Sequence, residues 1–224
     1  MTLDFDAFTL AAATADLDEE PDARAHADCV EFRMDLADSP SERLAAYDGD
    51  LPLLVTNRAD WEGGEAADEG RLETLAEALA HDAVEAVDIE LATLEDGDGG
   101  DLLDRADAEG VSVVVSTHDF EKTPSKGRLQ SLLTRAGTYG DVAKLAVTAE
   151  DRTDTLALLS ATHELTERGQ RVATMAMGEA GSHTRAVAPV YGSKIGYAPV
   201  DPAKATAPGQ YDLATLRSLV DSLG

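Results

Sequence analysis

The chain has a single cysteine, Cys29, so no intrachain disulfide can form. Cys29 opens an apolar run, where the residue reads as a small buried hydrophobe rather than a nucleophile. No apolar run is long enough to cross a bilayer as a helix. The first residues, Met1 to Asp6, are acidic and lack the basic start of a secretory signal, so a cytoplasmic protein is expected. Histidines show no metal-ligand spacing and there is no cysteine cluster, so no metal centre is expected. His26, His81, His163 and His183 read as ordinary structural residues. Basic residues are also scarce: 18 Lys and Arg stand against 44 Asp and Glu, a net charge of −26. Such a surface repels nucleic acid and anionic membranes, which removes both as partners.

The acids are dispersed, as at residues 16–22 and 62–73, instead of forming a tail. Only five of the basic residues are lysine. Dispersed acidity with arginine in place of lysine is the pattern of a salt-in halophile. Molar salt screens the self-repulsion, because the Debye length falls to about 3 Å at 1 M.

A chain of 224 residues suits one large domain, residues 1–224. Short β-type runs alternate with helical stretches throughout. Strands are expected at 9–14, 29–36, 51–58, 86–93, 112–120, 141–149, 171–178 and 190–198. Helices are expected at 16–27, 41–47, 65–83, 100–109, 125–139 and 152–168, near Ser182, and at 213–223. Leu72, Leu75, Ala76 and Leu79 recur at helical spacing, as do Leu156, Leu159 and His163. This alternation fits an α/β protein, a parallel (β/α)8 TIM barrel.

Strands of parallel sheets are buried on both faces and normally read as continuous apolar runs. Several here do not. Period two puts Glu31, Arg33 and Asp35 on one face of the second strand, and Asp88 with Glu90 on one face of the fourth. Other apolar runs end in Arg58 and His118, and Lys144 lies inside a run. Buried ion pairs that only specify a fold would explain one such strand. Five strands delivering polar groups favour a site at the C-terminal mouth, where barrel active sites lie. Lys144 is the lysine with apolar neighbours on both sides; Lys122, Lys126, Lys194 and Lys204 fall in loops or beside glycine and proline. Burial, and cations such as Arg33 or Arg58, favour the neutral amine that attacks a ketone. A lysine snorkelling from a strand end, or paired to a lumen acid, fits the same pattern.

In order along the chain come Glu31-Phe-Arg33-Met-Asp35, Thr56-Asn-Arg58 with Glu62-Gly-Gly64, Ser116-Thr-His118-Asp-Phe120, Lys144, Met177-Gly-Glu-Ala-Gly181 with Thr184-Arg185, Tyr191-Gly-Ser193 and Ala207-Pro-Gly-Gln210. From about residue 29 onward this set resembles the type I 3-dehydroquinate dehydratases, shikimate-pathway enzymes of aromatic amino acid biosynthesis. The resemblance implies a (β/α)8 barrel, a homodimer, and no metal or organic cofactor. It implies that Lys144 forms an imine with the C3 ketone of 3-dehydroquinate and that His118 takes a C2 proton and then protonates the departing C1 hydroxyl. It implies that Arg185 holds the substrate carboxylate, and that Glu31, Arg33, Arg58, Thr206 and Gln210 bind the ring hydroxyls and carboxylate. Asp88 is expected to orient His118, with Glu62 in support near Arg58. Phe32 departs from the tryptophan common in the family. Thr184 and Thr206 replace frequent serines and keep a hydroxyl. Pro199 and Pro202 mark residues 197–205 as a lid-like loop carrying Thr206 and Gln210.

Two other readings fit parts of the pattern. One is a different imine-forming barrel, an aldolase or transaldolase, which would bind phosphate near Gly178–Gly181 and Gly192; Glu179 is unwelcome there and Arg185 suits a carboxylate better. The other is a non-catalytic acidic binding module, which leaves the strand lysine without a purpose. The charge pattern carries its own prediction: the melting temperature falls, and helical circular dichroism is lost, when KCl is lowered from molar to millimolar concentration. An unchanged melting temperature would contradict the halophilic reading.

Overall fold

A computed structural model describes residues 3–201, 203 and 209–224. Eight strands run in parallel: β1 (Thr9–Thr14), β2 (Cys29–Arg33), β3 (Leu53–Thr56), β4 (Val84–Glu90), β5 (Ser112–Asp119), β6 (Val142–Thr148), β7 (Val172–Met177) and β8 (Ile195–Pro199). Their order is β7-β6-β5-β4-β3-β2-β1-β8, which brings the first and last strands of the chain side by side. At the remaining seam Lys194 N donates to Val172 O at 2.7 Å, and Thr174 N donates to Ser193 Oγ at 3.0 Å. A side chain thus stands in for part of the ladder, and the sheet is a nearly closed barrel.

Nine α-helices lie among the described residues: α1 (Glu20–Ala23), α2 (Pro40–Ala45), α3 (Arg71–Ala78), α4 (Leu91–Asp96), α5 (Gly100–Glu109), α6 (Lys126–Ala136), α7 (Arg152–Thr166), α8 (Thr184–Val187) and α9 (Leu213–Leu223). The two-residue period of the strands sorts their side chains into two cores. Val30, Phe32, Val55, Ile89, Val115 and Leu145 point outward and pack with Leu75, Leu129, Leu133 and Leu158 of the helices. Cys29, Leu54, Ala86, Val114 and Val142 point into the lumen. Cys29 is fully buried there, and burial pushes its thiol far above the usual range, so it is inert.

Where the elements differ from the sequence pattern, the cause is local. The fourth strand stops at Glu90 instead of continuing to Thr93, because the chain turns directly into α4, which Gly97 ends in a left-handed conformation (φ 92°). The helix expected from residue 65 starts at Arg71, since Ala59 and Ala66 form a β-bridge that holds the preceding turn. The eighth strand does not begin at Val190: Ala188–Tyr191 is a 3₁₀ turn closed by Gly192. Tyr197 and Ala198 are strand, as the run 190–198 predicts, and Pro199 extends it, so the loop expected over 197–205 does not include these three residues. Pro199 is tolerated because it is the last residue of β8, and Val200 N takes up the bonding to Ala13 O at 3.2 Å.

The segment before β1 stoppers the N-terminal end of the lumen. Leu3 N donates to Glu85 Oε2 and Leu3 O accepts from Ser112 Oγ, both at 2.7 Å, at the starts of β4 and β5. Phe5 is buried in the lumen core although its φ of 53° is strained for a bulky residue. Burying the ring offsets that strain. Phe5→Ala is expected to lower stability by about 3 kcal/mol, measured by denaturant unfolding in molar KCl; a loss well under 1 kcal/mol would show that the stopper carries no weight.

Candidate active site

The inward period that builds the lumen core also builds the site, one or two turns of pleat higher. Above Cys29 on β2 come Glu31 and Arg33; above Leu54 come Thr56 and Arg58; above Ala86 come Asp88 and Glu90. Above Val114 come Ser116 and His118, and above Val142 comes Lys144. One cavity at the C-terminal mouth is lined by Glu31, Arg33, Thr56, Arg58, Glu62, His118, Lys144, Arg185, Tyr197 and Gln210. Asp88 lies beneath it. Thr206, expected in the same set, lies outside the described residues. Among the described residues, the roomiest clefts on the surface contain neither a lysine nor a histidine.

Asp88 is the centre. Its carboxylate accepts from Lys144 Nζ at 2.8 Å, from Arg58 Nη2 at 2.6 Å and from Ser116 Oγ at 2.6 Å. Burial alone would raise it, but Arg58 and Lys144 overcome that and hold it well below the ordinary carboxylate range. Arg58 is buried as well; Asp88 and Glu90 outweigh the burial and keep it charged. Glu90 accepts from Arg58 Nη1 at 3.0 Å and from Arg71 Nη1 at 2.8 Å. Charges of alternating sign thus run Arg71, Glu90, Arg58, Asp88, Lys144, and Glu31 stands 3.8 Å from Lys144 Nζ. Lys144 therefore faces two carboxylates as well as the cations that the sequence pointed to.

His118 shares a 2.8 Å hydrogen bond between Nδ1 and Glu62 Oε1. This corrects the expected pairing: Asp88 serves Lys144 and Arg58, and Glu62 serves the imidazole. Strand geometry is the reason. Glu90, the last residue of β4, stands beside Ser116, so His118 projects above the end of β4. The turn after β3 rises to that height and carries Glu62. Phe120 stacks on the imidazole, ring centroids 5.8 Å apart. Gly63, at φ 80°, lets that ring sit against the turn; a Cβ there would come within 2.4 Å of it.

Burial, then Arg58 and Lys144, depress His118 well below the usual imidazole range. Burial pushes Glu62 up to about 8, against the pull of Arg58. Both shifts favour the uncharged forms, a neutral imidazole beside a protonated carboxyl. In that arrangement the carboxyl would donate to Nδ1 and leave the ring proton on Nε2, and loss of the carboxyl proton would move the ring proton to Nδ1 and free the Nε2 lone pair.

Arg185, at the start of α8, is the unmatched charge. It is buried, no carboxylate among the described residues lies within ion-pair distance, and its Nε is a donor without an acceptor. Burial lowers it to about 10. Asp35 already has a cation: it takes Arg33 in two bonds of 2.8 and 2.6 Å from a 3₁₀ turn (Met34–Leu36), not from strand as expected. The neighbouring Thr184 is spent on the main chain: its Oγ1 donates to Gly181 O at 2.7 Å and accepts from Ala176 N at 2.9 Å.

Sequence reading assigned no role to Ser116, Glu90, Arg71 or Tyr197. The shared face of Asp88 and Glu90 was a signal for Glu90. Arg71 gave none, since a charged residue opening a helix reads as exposed.

A parallel barrel with a lysine, an imidazole–carboxylate pair and a free guanidinium at its C-terminal mouth is a (β/α)8 enzyme. The model of the type I 3-dehydroquinases matches residues 8–224. A 3-dehydroquinate dehydratase from Haloarcula marismortui is 64% identical over 99% of this chain and 98% of its own length. One from Halobacterium salinarum is 53% identical over 99% and 100%. The crystal structure of a 3-dehydroquinate dehydratase from Geobacillus kaustophilus superposes with a TM-score of 0.86 at 29% identity, over 97% of this chain and 91% of that one. The chain belongs to the type I 3-dehydroquinase family, and it resembles members from halophilic archaea.

The His118–Glu62 pair is tested by ¹⁵N imidazole NMR. His118 is expected to be uncharged at pH 6, where an ordinary histidine is mostly protonated, and to move its proton from Nε2 to Nδ1 as pH rises through about 8. An imidazolium at pH 6 would overturn this assignment.

Proposed function

We propose that this chain, residues 1–224 acting as one catalytic barrel, dehydrates 3-dehydroquinate to 3-dehydroshikimate through an imine on Lys144. The observation that carries the reading is the lumen lysine, which shares one cavity with an imidazole and an unmatched guanidinium. Family membership supplies the substrate; the site supplies the chemistry.

The amine must shed a proton before it attacks, and the imidazole in the same cavity is the acceptor. Lys144 Nζ then bonds to C3, the ketone oxygen leaves as water, and the protonated imine draws electrons from C2. His118 Nε2 takes the C2 proton, giving an enamine. The enamine expels the C1 hydroxyl, which leaves as water with the proton from His118. Hydrolysis of the conjugated imine consumes one water and restores the amine, so the net reaction releases one water. A base tuned near the working pH suits this proton traffic. Because Nε2 is free only after the pair loses its proton, kcat/KM rises with pH toward about 8.

Arg185 binds the substrate carboxylate, since a planar anion matches its fork and satisfies the buried Nε. Glu31, Arg33, Arg58, Thr206 and Gln210 bind the hydroxyls and the carboxylate edge. Glu62 orients His118; Asp88 anchors Lys144 and Arg58. No metal or organic cofactor takes part. Among the described residues no helix is long and apolar enough to cross a membrane, and we place the enzyme in the cytoplasm as a homodimer, following the family resemblance.

Borohydride trapping with 3-dehydroquinate tests the imine directly. The wild type is expected to gain a reduced substrate adduct on Lys144. Lys144→Ala loses the adduct and nearly all turnover; retained turnover would refute the route. His118→Ala still traps substrate, slowly, but fails to release water.

A further inference from the structure

Tyr197 occupies a place in the lumen that its chemistry does not explain as packing. It is buried, its hydroxyl has no hydrogen-bond partner among the described residues, and its ring lies against the amine of Lys144, with Nζ 4.2 Å from the ring centroid. A buried tyrosine ordinarily satisfies its hydroxyl, and phenylalanine would fill the same space without an orphaned group. The strand beside it makes the room: Ala11 of β1 stands opposite Tyr197, and Ala13 follows on the same face. Burial, reinforced by Glu31 and Asp88, keeps the phenol from ionising. The hydroxyl is therefore neither base nor anion here, and the ring face is what Lys144 meets.

We propose that the ring of Tyr197 is an electrostatic seat for the Lys144 nitrogen, stabilising its positive charge more as protonated imine, where fewer N–H bonds to carboxylate compete with the ring, than as ammonium. This rests on the imine reading above. The ring does what Asp88 cannot. An ammonium offers three N–H donors, and a protonated imine offers one. The hydrogen bond to Asp88 and the 3.8 Å ion pair with Glu31 have fewer N–H groups to draw on as the imine forms, while attraction to the ring quadrupole needs no particular N–H. The seat thus holds the cation in place while its substituents change, and it favours the protonated imine, the form that withdraws electrons from C2. Removing it removes stabilisation of the intermediate rather than of the bound substrate, so kcat falls and KM changes little.

The test keeps the size of the ring and removes its charge distribution. Phenylalanine and its mono-, di- and trifluorinated analogues are placed at position 197 of the full chain in molar KCl. For each, the rate of borohydride adduct formation on Lys144 with 3-dehydroquinate is read beside kcat, KM and the melting temperature. Tyr197→Phe is expected to stay within about two-fold of wild type, and the trapping rate to fall stepwise with fluorination, by about 30-fold over the series, at constant melting temperature. A flat series overturns the proposal. A full loss already in Tyr197→Phe assigns the effect to the hydroxyl and overturns it too. Absence of any adduct in the wild type sinks the imine reading itself, whereas a wild-type adduct indifferent to fluorination sinks only the role of the ring.

Discussion

The site depends on one buried carboxylate. Asp88 accepts from Lys144, Arg58 and Ser116 at once. Each partner comes from a different strand or strand end, so the carboxylate ties β3, β4, β5 and β6 together at the height of the reacting amine. Without it Arg58 would keep only Glu90, and Lys144 only Glu31 at 3.8 Å; taking one partner from a buried charge network costs about 3–5 kcal/mol. Apolar packing would hold a barrel together at least as well. A network of this kind at a mouth is thus better understood as aiming a lysine than as strengthening the fold.

Charge is organised on two scales. The whole chain carries −26, yet the lumen is nearly balanced. Lys144, Arg58, Arg71 and Arg33 stand against Asp88, Glu90, Glu31 and Asp35, and His118 with Glu62 adds nothing at neutral pH. Arg185 remains. One unmatched guanidinium makes the cavity attractive to a carboxylate inside a molecule whose surface repels anions. At molar salt the surface field dies within a few ångströms, while the buried charge is screened far less. The acidic exterior and the anion-binding interior are thereby compatible.

Strand alternation links this chemistry to the fold. The same parity that buries Cys29, Leu54, Ala86, Val114 and Val142 in the lower lumen raises Glu31, Thr56, Asp88, Ser116 and Lys144 into the mouth. For that reason much of the site was legible before any coordinates. A charge in an otherwise apolar strand has one direction to point, and the eight strands were recognisable from their apolar runs. Element ends were less legible. Leu91–Asp96 continues an apolar pattern that suits strand or helix, and tertiary packing chose helix. Tyr197 fits both the strand 190–198 and the loop 197–205 that the prolines mark, and pairing of β8 with β1 through Pro199 makes it strand.

By itself the amino-acid sequence determined the parallel barrel, the inward lysine and histidine, and the salt-adapted surface. Each follows from local rules: period two along a strand, apolar runs between helices, and net charge. Tertiary structure alone decided who meets whom. Glu62, not Asp88, reaches His118, because β5 outruns β4. Arg71 enters the lumen from the start of a helix. Tyr197 meets Lys144 from β8, across the seam and β7. Pairings across a barrel depend on the stagger between strands and on where each one stops, and neither is written in the spacing of residues along the chain.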